Sequence, residues 1–157
     1  MAKLVTPLND MARNSVSNGQ NTVDKTVRIL NDLGFTCTTK QKFSTFACPY
    51  GGSRVVRADI RVSAPEDFVI ECKSNGEALG TMYGKLWYTV DLYNAIGYPT
   101  VIVLDTPNEV IKTVFLDRLR GISGPNVTWV LIEDLVKWAT QRLKAASQTE
   151  TARTGTL

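Results

Sequence analysis

The amino-acid sequence predicts a three-layer α/β/α sandwich around a mixed central sheet. The chain has 157 residues, which is the size of one domain. Its hydrophobic fraction of 43% and charged fraction of 21% are ordinary for a globular protein with one core. The predicted element order is α-β-β-β-α-β-α-β-α, in which an antiparallel meander leads into a β-α-β crossover. That combination gives a mixed sheet with helices on both faces.

The first half of the chain predicts one helix and three strands. Apolar residues recur at helical spacing over residues 20–33, which indicates an amphipathic helix. Gly34 ends it, as glycine after a helix commonly does. The segments that follow are a strand from Phe35, a turn at residues 49–52, and strands over residues 54–62 and 67–73.

Helices alternate with short apolar strands in the second half. The continuous apolar run at residues 100–104 is typical of a central strand buried on both faces. The other predicted elements are helices at residues 81–95, 108–120 and 132–145, and a strand at residues 127–131. We expect residues 1–18 to form a polar lead-in, residues 19–146 a single domain, and residues 147–157 a flexible tail rich in Thr and Ser.

Composition excludes several chemistries. The chain contains no histidine, so serine–histidine triads, HExxH zinc sites and histidine general bases are impossible. Its cysteines are Cys37, Cys48 and Cys72, which form no CxxC pair and cannot supply a four-ligand zinc site. The net charge of +3 permits a nucleic-acid partner without requiring one. The sequence has no apolar run of signal-peptide or membrane-span length, so we expect a cytoplasmic protein with no membrane partner.

Charged residues interrupt the apolar pattern at two neighbouring strands. Alternation along residues 67–73 puts Glu71 and Lys73 on one face of their strand. Asp59 lies in the preceding predicted strand, and the turn between the strands is short. If the strands pair as a hairpin, Asp59 lies beside Glu71. Two carboxylates and an ammonium group would then converge at one end of the sheet.

This trio suits phosphodiester chemistry. Carboxylate oxygens are preferred ligands of Mg²⁺, which also takes phosphate oxygens and lowers the pKa of a bound water. The sequence therefore predicts Asp59 and Glu71 as ligands of Mg²⁺, for which Mn²⁺ can substitute, and the backbone carbonyl of Cys72 as a further ligand. Lys73 would orient or deprotonate the attacking water and offset charge on the phosphate.

The arrangement resembles the PD-(D/E)XK nuclease superfamily. The matching residues are Asp59 and then Glu71-Cys72-Lys73, although the family's Pro before the Asp is Ala58 here. The likeness covers roughly residues 19–138. It implies a restriction-endonuclease-like core of order α-β-β-β-α-β and Mg²⁺-dependent cleavage of DNA. It also implies that Lys85, near the start of the second helix, belongs to the catalytic site, and that Asp24 in the first helix is a metal ligand.

Other readings of these residues stay open. Asp24 can equally be an acid that the helix dipole favours in a first turn, and Lys85 a lysine facing solvent. Five cations on or near the meander can form a DNA-binding surface or only a solvated sheet face: Lys40, Lys42, Arg54, Arg57 and Arg61. A homodimer or higher homo-oligomer is expected, because a small enzyme that cuts two strands benefits from two-fold symmetry.

Two function classes follow from the sequence. The first is a metal-dependent endodeoxyribonuclease, whose task is junction resolution, restriction or repair cleavage, or homing. The alternative is a non-catalytic DNA-binding or assembly module that keeps the nuclease fold. Metal binding distinguishes the two classes, because a module without catalysis has no need of Mg²⁺.

Overall fold

The computed structural model describes residues 8–39, 45–74 and 79–155. Within these ranges four α-helices alternate with strands. The α-helices are α1 (Leu8–Asp32), α2 (Leu79–Ile96), α3 (Leu116–Ile122) and α4 (Leu135–Thr154). A π-helical turn at Ile111–Phe115 precedes α3, and a 3₁₀ turn at Ile132–Asp134 precedes α4.

The strands form a large mixed sheet and a small separate one. They are β1 (Thr36–Thr39), β2 (Thr45–Ala47), β3 (Val55–Arg57), β4 (Ile60–Ala64), β5 (Phe68–Ser74), β6 (Thr100–Asp105) and β7 (Val127–Leu131). In the described residues the large sheet has the order β1-β4-β5-β6-β7, and β2 pairs only with β3. Strand β4 runs antiparallel to both β1 and β5, whereas β5, β6 and β7 are parallel. The predicted mixed α/β architecture is therefore confirmed.

Helices pack on both faces of the large sheet. On one face, Phe68 and Ile70 of β5 are buried against α1 and α4. On the other face, Val69 of β5 is buried against α2 and α3. Strand β6 is buried on both faces, as its continuous apolar run predicted. Side chains of alternating β5 residues thus enter two different cores, so Glu71 and Lys73 lie on the α2 face.

The strand predicted over residues 54–62 is in fact two strands. It breaks at buried Ala58 and at Asp59, where the backbone bends. The cause is the packing of the β2–β3 hairpin, whose Phe46 and Val56 join the core on the α2 side. The rings of Phe46 and Tyr98 lie 5.3 Å apart, which fixes the hairpin against the end of α2. Asp59 consequently occupies the corner between the two sheets.

Both ends of the chain are more helical than predicted. Helix α1 already begins at Leu8, within the expected lead-in, because no proline interrupts residues 8–32. Gly34 adopts a φ of 100° and ends α1 as expected. The flexible tail predicted from residue 147 is instead helical as far as Thr154, since no glycine or proline occurs before Gly155. Its residues are exposed, which explains why they carry no core pattern.

Candidate functional site

Strand register places the two predicted acids side by side. Ile60 of β4 lies opposite Ile70 of β5, so the next residue outward, Asp59, lies opposite Glu71. Asp59 lies at the bend just before β4 and is not part of the strand. Its carboxylate takes the place of a β4 backbone carbonyl as the acceptor for the Cys72 N–H. Its Oδ2 accepts a hydrogen bond of 2.8 Å from the backbone N–H of Cys72. The hairpin pairing predicted for these strands thus brings Asp59 to the centre of β5.

Both carboxylate oxygens of Glu71 have partners. The Lys73 ammonium group donates to Oε1 at 2.7 Å, and the Tyr93 hydroxyl donates to Oε2 at 3.0 Å. The side chains of Glu71 and Lys73 keep 14% and 27% of their surface exposed, so solvent reaches the pair. Tyr93 comes from α2 and is itself buried. Glu71 is therefore held in one orientation by a residue from its own strand and one from a helix.

The electrostatics show two acids in close interaction. Burial and, after it, the neighbouring charge of Glu71 raise the pKa of Asp59 to about 6, against the opposing effects of the Cys72 amide and Lys73. Burial and the charge of Glu71 raise the pKa of Tyr93 far above its ordinary value, so its hydroxyl stays a donor. Two carboxylates that repel one another in a partly buried place favour the binding of a cation.

The donor set at this place fits a cation that retains several waters. No group of three or more Cys, Asp or Glu side chains able to hold a metal occurs in the part of the chain that is described. A third protein oxygen is available from the backbone. In a strand, the N–H and C=O of one residue point to the same side. The Cys72 amide points to Asp59, so the Cys72 carbonyl lies on the Asp59 side of β5 as well. Asp59, Glu71 and this carbonyl together match the few protein ligands typical of Mg²⁺.

The structure does not bring Asp24 to the acid pair. Helix α1 packs on the Cys72 face of β5, where the Cys72 thiol lies 3.8 Å from the Thr26 hydroxyl, whereas Glu71 points to the opposite face. Asp24 is exposed and accepts a hydrogen bond of 2.9 Å from Gln20. The expectation of Asp24 as a further metal ligand is therefore unsupported, because the helix presents the buried Thr26 to β5 and turns Asp24 to solvent.

Lys85 lies on the exposed side of α2. No hydrogen bond or ion pair joins its side chain to Asp59, Glu71 or Lys73 among the described contacts. It sits two turns of helix before Tyr93, the residue of α2 that does contact the acids. Its membership of the catalytic site stays a prediction.

The five candidate DNA-binding cations differ in where they lie and in which partners they have. Lys40 and Lys42 fall outside the described residues. Arg54 and Arg57 are exposed on the small β2–β3 sheet instead of the meander. Arg61 pairs with Asp67, with Nη2 to Oδ2 at 3.0 Å. Arg54 and Arg57 are thus better placed to meet phosphate than Arg61, whose charge is already partly neutralised.

Tyr93 is the site residue that sequence reasoning missed. Its position in an apolar helix is typical of a core residue, and most of its ring lies in the core. The signal that could have found it is chemical: a buried tyrosine hydroxyl needs a partner. The β5-α2-β6 crossover lays α2 over the face of β5 that carries Glu71, which is the nearest free acceptor.

Comparisons with known proteins identified no similar protein. No family model, no curated protein and no solved structure matches the chain. Among the described helices, none contains a stretch long and apolar enough to cross a membrane.

Proposed function

We propose that this protein is a divalent-metal-dependent endonuclease that hydrolyses DNA phosphodiester bonds, with a restriction-endonuclease-like three-layer core. One observation carries the proposal: Asp59, Glu71 and Lys73 converge on the α2 face of β5, at the edge where β4 begins. The order helix, antiparallel meander, helix and parallel strand around them supports the same proposal.

The carboxylates and the Cys72 carbonyl would hold Mg²⁺ or Mn²⁺, which when bound lowers the pKa of its water and neutralises phosphate charge. Glu71 is kept in place by Tyr93 on Oε2 and by Lys73 on Oε1. Lys73 already donates a hydrogen bond in this arrangement. It would act as a donor that orients the attacking water and offsets charge building on the phosphate oxygens. The water oxygen bonds to phosphorus and releases a proton to solvent, while one bond from phosphorus to a sugar oxygen breaks and the released oxygen takes a proton from solvent.

Cleavage assays on three variants test the proposal. Asp59→Asn and Glu71→Gln keep side-chain size and remove one ligand charge, so we expect both Mn²⁺ binding and cleavage to be lost. Lys73→Met removes a donor and leaves the ligands, so Mn²⁺ binding should persist while the rate falls by about 10²–10³-fold. The substrates are supercoiled, linear, single-stranded and four-way-junction DNA, each with Mg²⁺ or with EDTA.

Arg153→Ala, at the exposed end of α4, is the control and should cut at the unchanged rate. Cleavage that continues in EDTA, or that survives Glu71→Gln, would contradict the proposal. A protein that binds DNA but neither binds Mn²⁺ nor cuts would be the non-catalytic module instead.

A further inference from the structure

Three large aromatic side chains lie exposed near the site. Tyr50 is 54% exposed, Trp87 52% and Tyr88 55%. We call these three residues the aromatic patch. Trp87 is the outlier among the chain's three tryptophans, because Trp129 is buried and Trp138 is half-buried. Clustered exposed aromatic surface marks a binding site more often than chance, since such surface is costly to leave in water.

A hydrogen bond joins the two elements that carry the patch. The hydroxyl of Tyr50, at the tip of the β2–β3 hairpin, donates to Asp91 of α2. Asp91 follows Trp87 by four residues and Tyr88 by three, so all three side chains share the outward face of the helix. Gly51 and Gly52, with φ of 91° and 85°, shape the turn that brings Tyr50 there. The rings therefore form one surface across the hairpin and the helix.

The two segments that carry the patch contain more cations than acids. Residues 45–57 and 84–97 contain three cations, Arg54, Arg57 and Lys85, and one carboxylate, Asp91. All three cations are exposed, and none forms a salt bridge with a described residue. Asp91 is engaged by Tyr50. Aromatic rings can stack on bases, and the cations beside them can pair with phosphates, so the patch suits a nucleic-acid strand. An apolar protein surface would leave these cations without partners.

The patch also lies close to the acid pair. Tyr93, which donates to Glu71, is six residues after Trp87 on α2, or about 9 Å along the helix axis at 1.5 Å per residue. On the other element, β3 ends at Arg57, two residues before Asp59. The hairpin and the helix that carry the patch thus both border the site, with the rings on the outward face of the helix whose inner face holds Tyr93.

We propose that the aromatic patch is a stacking platform for unpaired bases, and that the substrates are DNA strands with unpaired bases beside the bond that is cut. The substrate assignment rests on the proposed nuclease function, whereas the stacking platform does not. In a continuous duplex the base faces are covered by their neighbours, so exposed rings can stack only on bases at single strands, frayed ends or branch points. Arg54, Arg57 and Lys85 would contact the phosphates of the same strand.

Tryptophan fluorescence measured in EDTA tests the platform without cleavage. The probes are a twelve-residue oligothymidylate and a blunt duplex of the same length. We expect the single strand to quench the emission, because only Trp87 is exposed enough to stack, and the duplex to quench it little. Fluorescence anisotropy of labelled oligothymidylate should show about 10–100-fold weaker binding for Trp87→Ala and Tyr88→Ala. Trp87→Phe and Tyr88→Phe keep a ring and should keep most of the affinity.

Val136→Ala, an exposed apolar residue on α4 across the sheet, is the matched control and should bind as the unsubstituted protein does. Equal affinity and equal quenching with the duplex would overturn the platform. So would unchanged single-strand affinity in Trp87→Ala together with a loss of oligomers in sedimentation, because the patch would then be an interface between copies of this chain.

The platform and the nuclease can fail separately. Quenching by oligothymidylate with no cleavage of any DNA in Mg²⁺ would refute the nuclease and uphold the stacking site. Metal-dependent cleavage of blunt duplex at a rate that Trp87→Ala does not change would refute the assignment of substrates with unpaired bases and uphold the nuclease.

Discussion

At the scale of single residues, the raised pKa of Asp59 has a consequence for stability. Its pKa is about 6 in the folded chain and about 3.8 when unfolded. Between these values the folded state holds a proton that the unfolded state has released, so stability falls as the pH rises. A shift of about two units corresponds to at most about 3 kcal/mol, lost in full above pH 6.

Urea unfolding from pH 4 to 7 in EDTA measures this prediction. The free energy of unfolding of the unsubstituted protein, minus that of Asp59→Asn, should decline across the window by up to about 3 kcal/mol. The subtraction removes the contributions of the other acids. A difference that stays flat, or that rises with pH, would show that the pKa of Asp59 is not raised in the folded chain.

Tyr93→Phe isolates the hydroxyl that holds Glu71. The ring stays in the core, and Oε2 of Glu71 loses its 3.0 Å donor. Loss of a partner that orients a ligand typically lowers metal affinity by about 10–100-fold, so calorimetric titration with Mn²⁺ should show a decrease of that size. Tyr88→Phe loses an exposed hydroxyl on the same helix and should bind Mn²⁺ normally. Equal affinity in both variants would assign Tyr93 to the core alone.

At the scale of elements, one arginine of α4 adds polar and aromatic contacts to the apolar packing of this helix on the sheet. The Nε of Arg142 donates to Glu66 at 2.7 Å, and its guanidinium lies 5.5 Å from the ring centre of Phe68 and 5.2 Å from that of Trp138. The ion pair is partly exposed and contributes little, whereas stacking on two rings adds to it. We expect Arg142→Ala to lower the free energy of unfolding by about 1–2 kcal/mol.

Thermal and urea unfolding measure that change. Helix α4 packs on the face of the sheet away from Glu71, so the rate of DNA cleavage should not change. Arg153→Ala, near the end of the same helix, is the control and should unfold as the unsubstituted protein does. A loss of cleavage with unchanged stability in Arg142→Ala would contradict this assignment.

The elements also show what the sequence could predict. Strand β7 matches its predicted bounds, residues 127–131, because a turn at Gly124 precedes a short run that is apolar except at the exposed Thr128. The corner at Asp59 could not be predicted, since alternation of apolar residues continues through it from Val56 to Val62. At this corner the β2–β3 hairpin packs against the core, and its Phe46 contacts Tyr98, which is 52 residues away in sequence. The alternation of apolar and polar residues predicts where strands form. Tertiary packing determines where a strand bends or ends.

The candidate site divides in the same way. Asp59, Glu71 and Lys73 could be predicted, because strand alternation and a short turn constrain where their side chains point. The positions of Tyr93 and Asp24 relative to the acid pair could not be predicted. Tertiary packing decides which side of a helix faces the sheet, and the local sequence does not specify it. The apolar face of α2 turns Tyr93 toward Glu71, and that of α1 turns Asp24 outward.

At the scale of the whole molecule, a bound cation should stabilise the fold. Binding to the folded state alone adds about 2.7 kcal/mol at a ligand concentration 100 times the Kd. For a chain of this size that is a rise in Tm of roughly 5–10 °C. Differential scanning fluorimetry with Mn²⁺ at pH 7.5, where Asp59 is ionised, should show it for the unsubstituted protein and for Lys73→Met. Asp59→Asn should show no rise, and an equal rise there would place the cation elsewhere.

The hydrogen bond from the Cys72 amide to Asp59 makes that peptide group a reporter of the site's chemical state. An amide proton that donates to a carboxylate resonates differently when the carboxylate gains a proton or turns to a cation, and it responds more strongly than an amide that donates to a strand carbonyl. The ¹⁵N–¹H signal of Cys72 should therefore move on acidification and again on addition of Mg²⁺. A single cross-peak would follow both titrations in the intact chain without an attached probe.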